Sequence, residues 1–114
     1  MSESIWHPDE QADAVVVVDD DRRFVDANLA ALTLIGVSKD ALLSQRIEDL
    51  APDDTRSQID GMWLRLLSEG RLTGTVVVQL PLLGEVTLEF AALANFPVPG
   101  LHFGRVRPLV THAE

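Results

Sequence analysis

The stretch A-V-V-V-V-D-D-D-R-R-F-V-D-A-N-L-A-A-L-T-L-I-G-V-S, Ala14 to Ser38, decides the fold. Ala14 to Val18 is an unbroken run of small and β-branched apolar residues, the composition of a strand covered on both faces. Asp19, Asp20 and Asp21 end the run, because short acidic side chains bond to their own backbone in turns. Arg23 to Ala27 then returns as a second strand. Asn28 stands directly before L-A-A-L-T-L-I, where its side-chain carbonyl can accept from the free amides of a first helical turn. Leu29, Leu32 and Ile35 keep helical spacing, and Gly36 supplies a left-handed stop. Strand, turn, strand and capped helix agree at every level of local preference.

Downstream, Ser38 caps a second short helix ending near Leu43, and a turn follows around Ile47 to Leu50. Pro52, Asp53 and Asp54 open the longest helix, with both carboxylates at the positive end of the helix dipole. Ile59, Met62, Trp63, Leu66 and Leu67 follow the i, i+3, i+4, i+7, i+8 pattern of one broad apolar stripe, closed by Glu69 and Gly70. Arg65 and Glu69 are four apart and can pair. From Leu72 onward the chain reads as strand: Thr75 to Leu80, Glu85 to Leu93 and Leu101 to Arg107, with turns at Pro81 to Gly84 and Ala94 to Gly100. Val86, Leu88, Phe90 and Ala92 alternate with Glu85, Thr87, Glu89 and Ala91, giving one face for a core and one for water. The order predicts an α+β fold with short helices and one longer helix on one face of an antiparallel sheet. Residues 1–13 are polar apart from Ile5 and Trp6 and read as a leader or cap. The domain spans 14–108, and 109–114 is a tail.

At 114 residues the chain fits one domain with one core. Eighteen Asp and Glu against nine Lys and Arg leave a net charge of −9, which repels phosphate backbones and anionic bilayers alike. Nucleic acid and membrane are therefore not expected as partners. The absence of Cys removes disulfides, thiolate nucleophiles, Cys-ligated zinc and cysteinyl adducts together. No apolar stretch approaches the roughly 20 residues of a membrane span, and no signal-peptide pattern is visible, so a cytoplasmic protein is expected.

Catalytic motifs are absent. No G-x-S-x-G, G-x-G-x-x-G or G-K-[ST] occurs, and Glu85 and Glu89 fall on the predicted wet face. The Asp19 to Asp21 and Asp53 to Asp54 clusters read as a solvated turn and a helix start rather than a metal site. Of His7, His102 and His112, only His102, in the last strand, can point into a cavity, with a solvent-facing strand position as the alternative. Leu82 and Leu83 sit at a hairpin tip where polar residues are usual. Together with Ile5 and Trp6 they mark a candidate self-association surface, with folding back onto the same chain as the alternative.

The element order, with these punctuation residues, resembles the PAS domain family over about residues 14–108. The matching pieces are V-V-V-D with R-F-V-D-A-N-L-A, then L-I-G-V-S-K-D-A-L-L, L-A-P-D-D before the long helix, L-S-E-G after it, and N-F-P-V-P-G-L-H-F-G-R-V-R at the end. The resemblance implies a five-stranded antiparallel sheet cupped against helices, and a sensory or signalling role with homodimerisation. It also implies a cavity between sheet and long helix that either binds a small apolar or aromatic ligand or is filled by side chains. Leu32, Ile35, Met62, Trp63, Leu66, Phe90, His102 and Phe103 are the candidate pocket residues, and Asn28, Gly36, Asp54 and Gly70 the structural ones. Flavin photochemistry of the cysteinyl type is excluded without Cys, and haem is not expected because residues 55–69 hold no His. The sequence names no ligand. Many members carry D-I-T after the last strand, whereas this chain reads R-V-R-P-L-V-T, with Pro108 where the acid is expected. The tail to Glu114 is too short for a coiled coil or effector, so a signalling partner in trans is expected. A small isomerase- or cyclase-like enzyme, with one buried carboxylate in an apolar cavity, is the alternative from another class. A purely structural dimerisation domain with a packed core is the other.

Overall fold

The computed structural model describes residues 13–109. Ile5 and Trp6 lie outside the described residues, as do 1–12 of the leader and 110–114 of the tail. The chain forms β1 (Ala14–Asp19), β2 (Phe24–Ala27), α1 (Leu29–Ile35), α2 (Lys39–Leu43), a 3-10 turn (Ile47–Leu50), α3 (Asp53–Glu69), β3 (Arg71–Leu80), β4 (Gly84–Leu93) and β5 (Leu101–Pro108). The five strands make one sheet in the order β2-β1-β5-β4-β3, every pairing antiparallel. The expected α+β architecture is thus the observed one.

Asn28 is the joint of the first half. Its Oδ1 accepts from Ala31 N–H at 2.9 Å, the cap expected from sequence, and also from Val15 N–H at 2.9 Å. Its Nδ2 donates to the Asp13 carbonyl at 2.9 Å, so one side chain ties the α1 start to the β1 start. α1 is seven residues long, too short to hold itself together in water. Asn28→Ala is therefore expected to lower stability by about 1–2 kcal/mol in urea denaturation. Asn28→Asp, which keeps the acceptor and loses the donor, should fall between the two.

Gly36 ends α1 at φ 87, and a Cβ there would lie 3.1 Å from Leu82 Cγ. Ser38 caps α2 by accepting from Ala41 N–H at 3.2 Å. Lys39 reaches from α2 to Asp26 on β2 at 2.8 Å. That ammonium, and then the Ala27 N–H, hold the Asp26 carboxyl below its ordinary range. The pair is well exposed and contributes a few tenths of a kcal/mol at most, about what exposed pairs give. Because the folded value is lowered, the contribution is present above the unfolded carboxyl value near 4 and lost as pH falls through the folded one. The stability gap between wild type and Asp26→Asn should accordingly shrink between pH 7 and pH 2.

Three local expectations change. β3 starts at Arg71 rather than Thr75, because Gly74 lets the strand pass under Phe90; a Cβ at Gly74 would lie 3.4 Å from that ring. The α3 stripe is narrower than its periodicity: Ile59 and Leu66 are buried, Met62 and Trp63 half-buried, and Leu67 is 41% exposed. α3 meets the sheet mainly through β3, and Leu67 lies beyond that contact line. β1 is buried at Ala14 and Val18 and half-buried at Val15, Val16 and Val17, so its covering on both faces is partial among the described residues. The core cluster joins Val18, Phe24, Ile35, Leu42, Val78, Leu80 and Leu88 across all layers.

Candidate functional site

Strand pairing fixes which side chains face α3. Val16 pairs with Gly104 and Val18 with His102, while Phe90 pairs with Val106 and with Gly74, and Ala92 with Gly104 and with Leu72. These positions share the inner face of the sheet. Between that face and α3 lies a cavity of about 160 Å³, whose wall is almost entirely apolar. Ile35, Met62, Trp63, Leu66, Phe90 and His102 line it.

Leu32 does not line this cavity; it packs against the core cluster instead. Helical spacing places Leu32 and Ile35 on one side of α1 but does not say which of them reaches the sheet's hollow. Phe103 borders the cavity, yet strand alternation turns its side chain away from the face shared by His102 and Gly104. Its ring meets Phe96 edge-on at 5.7 Å on the other side. Adjacent residues of one strand point to opposite faces, so of the two candidates His102 gives the cavity its ring and Phe103 only borders it. Phe24, Ile59, Leu88 and Gly104 also form the lining. Ile59 and Leu88 carried the signal of periodicity; Gly104 carried none.

His102 is 2% exposed, and both of its nitrogens are committed. Nδ1 accepts from the Asn95 N–H at 3.0 Å, which leaves the ring proton on Nε2, where it is donated to Asp20 Oδ1 at 2.8 Å. Its ring stands edge-on to Trp63 with centroids 5.0 Å apart. Arg22, in the same β1–β2 turn as Asp20, lies over Trp63 with its guanidinium carbon 5.9 Å from the ring centroid. Arg22 also donates to Asp60 on α3 at 2.9 Å. Its Nε lies 3.2 Å from Glu48 Oε1, an ion pair without hydrogen-bond alignment. The turn thus holds two cavity-wall rings, His102 through Asp20 and Trp63 through Arg22. Sequence inspection could not find this clasp, because it depends on the Val18–His102 register across 84 residues of chain.

The acidic clusters do structural work. Asp19 Oδ1 accepts from the Asp21 and Arg23 amides, so it caps the β1–β2 turn, and Asp53 approaches Arg56 at 3.5 Å within α3. Among the described residues no carboxylate lines the cavity, which is where an isomerase-like reading would need one. Leu82 and Leu83 are 77% and 56% exposed. Leu82 both folds back toward Gly36 and remains open to solvent.

The model of the PAS fold matches residues 9–100 of the chain. The chain belongs to the PAS family of sensory and signalling domains. Solved structures carry the same architecture. A PAS domain from Colwellia psychrerythraea has a TM-score of 0.75 at 21% identity, covering 85% of this chain and 86% of its own. A PAS domain of a two-component sensor histidine kinase has a TM-score of 0.72 at 15% identity, covering 85% of each. A light-oxygen-voltage domain, described with a flavin analogue, has a TM-score of 0.71 at 15% identity, covering 86% of this chain and 78% of its own. No curated protein matches the chain.

Flavin does not fit this cavity. About 160 Å³ is well below the roughly 300–1,000 Å³ of ordinary ligand pockets, and the wall is almost without polar surface. Haem does not fit either, since His102, the one imidazole on the wall, has neither nitrogen free for iron. Among the described residues no helix is long and apolar enough to cross a membrane.

Proposed function

We propose that this PAS module is a cytoplasmic sensor that takes a small apolar ligand into the cavity between sheet and α3, and signals as a homodimer to a partner in trans. The observation that carries the ligand is the cavity itself. Filling an apolar cavity recovers up to about 24 cal/mol per Å³, so a guest matched to about 160 Å³ gains at most on the order of 4 kcal/mol. The Arg22 and Asp20 contacts support a signalling role, because both wall rings are tied to one surface turn where a change at the wall reaches solvent.

The dimer reading rests on the exposed pair Leu82 and Leu83 at the β3–β4 tip. Sedimentation of the Leu82→Asp, Leu83→Asp double variant should shift a dimer to monomer with the fold intact. Native mass spectrometry of the purified protein tests both parts together. A dimer with a copurified small molecule is expected, and a strict monomer without ligand overturns the proposal.

A further inference from the structure

Resting on the ligand reading above, we propose that the cavity selects a single-ring aromatic hydrocarbon and rejects ring compounds that carry a hydrogen-bonding group. Three observations lead there. The volume of about 160 Å³ is close to that of an apolar cavity that admits one benzene ring, and it leaves little room for a linked pair of rings. The wall presents four rings, Phe24, Trp63, Phe90 and His102, and a guest ring gains from edge-to-face contact with them. The third observation sets the chemistry. His102 is the side chain on the wall best suited to greet a hydroxyl or a carboxylate, yet Asn95 and Asp20 already occupy both of its nitrogens.

His102 is therefore a specificity-determining residue by being locked. It offers the cavity its ring and withholds its hydrogen bonds, so a polar substituent on the guest enters without a partner. Arg22 reinforces this from the other side of Trp63: its charge is spent on Asp60 and Glu48 and is not available to a guest anion.

The test is an amide NMR titration of the full chain with toluene, phenol, benzoate and biphenyl. Toluene should cause saturable shifts centred on Val16, Leu88, Phe90 and Gly104, with phenol about tenfold or more weaker and benzoate and biphenyl silent. In Ala92→Leu, which fills the cavity from the inner face of β4, toluene affinity should fall about tenfold or more. Ala92→Val, the milder change, should weaken it in the same direction if the Leu variant does not fold. Phenol binding as tightly as toluene at the same residues would overturn the selectivity while leaving the cavity reading intact. Absence of saturable shifts with all four compounds, or toluene shifts unchanged in the folded Ala92 variants, would overturn both.

Discussion

Leu42→Ala is expected to lower the unfolding free energy by about 3 kcal/mol and the thermal midpoint by about 10 °C or more. Leu42 has no exposed surface and belongs to the cluster that joins Val18, Phe24, Ile35, Val78, Leu80 and Leu88. It is also the one buried residue of α2, a helix of five residues that cannot persist without tertiary contacts. Truncation therefore removes both packing and the anchor of an element. Calorimetry reads the effect directly. A midpoint within 2 °C or so of wild type would show that α2 docks by other means.

A loss of comparable size, about 3 kcal/mol, is expected for His102→Ala. The change deletes the ring that stands against Trp63, strands the Asn95 N–H, and enlarges the cavity. His102→Phe separates the contributions: it restores ring volume but not the acceptor for Asn95, and should recover about half of the loss. Asp20→Ala should cost only about 1 kcal/mol, because the Asp20 side chain is 73% exposed and water can replace it on Nε2. Equal losses in Asp20→Ala and His102→Ala, measured by urea denaturation, would mean that the ring itself contributes little.

Much of the fold is legible from particular residues. Asn28, Gly36, Ser38 and Gly70 are residues whose local chemistry allows few other positions, and each lies where its chemistry requires. The α3 periodicity and the β4 alternation identify the elements, but not their burial: Leu67 is exposed, and Thr87, Glu89 and Ala91, on the face expected to meet water, are half-buried. The cavity is a different kind of object. Ile59, Trp63, Leu66 and Phe90 would show the same spacing around a filled core, because periodicity reports which face is inward and not whether the space between faces is full. Leu32 shows the same limit on a smaller scale: apolar character brings it forward, whereas helix rotation places it against the core cluster. The Asp20–His102 and Arg22–Trp63 contacts are invisible in sequence because they join the first turn to the last strand and the long helix, a pairing that only the β1–β5 register creates.

The cavity also sets what the family resemblance can mean here. A PAS fold alone is compatible with flavin, haem, a small metabolite or a filled core, since fold does not give function. In this chain the narrow apolar volume and the locked imidazole remove the polar and bulky options one by one. The guest proposed here is accordingly hydrocarbon-sized, between α3 and the sheet and beside two rings that a surface turn keeps in place.

Xenon pressurisation of crystals tests that claim most directly, because the gas enters dry apolar cavities of this size and needs no polar partner. A well-occupied xenon position is expected between α3 and the sheet, in contact with Ile59, Leu66 and Phe90, with His102 still bonded to Asp20 and Asn95. Crystals that take up no xenon there, with Trp63 and Met62 closed into the space, would contradict it.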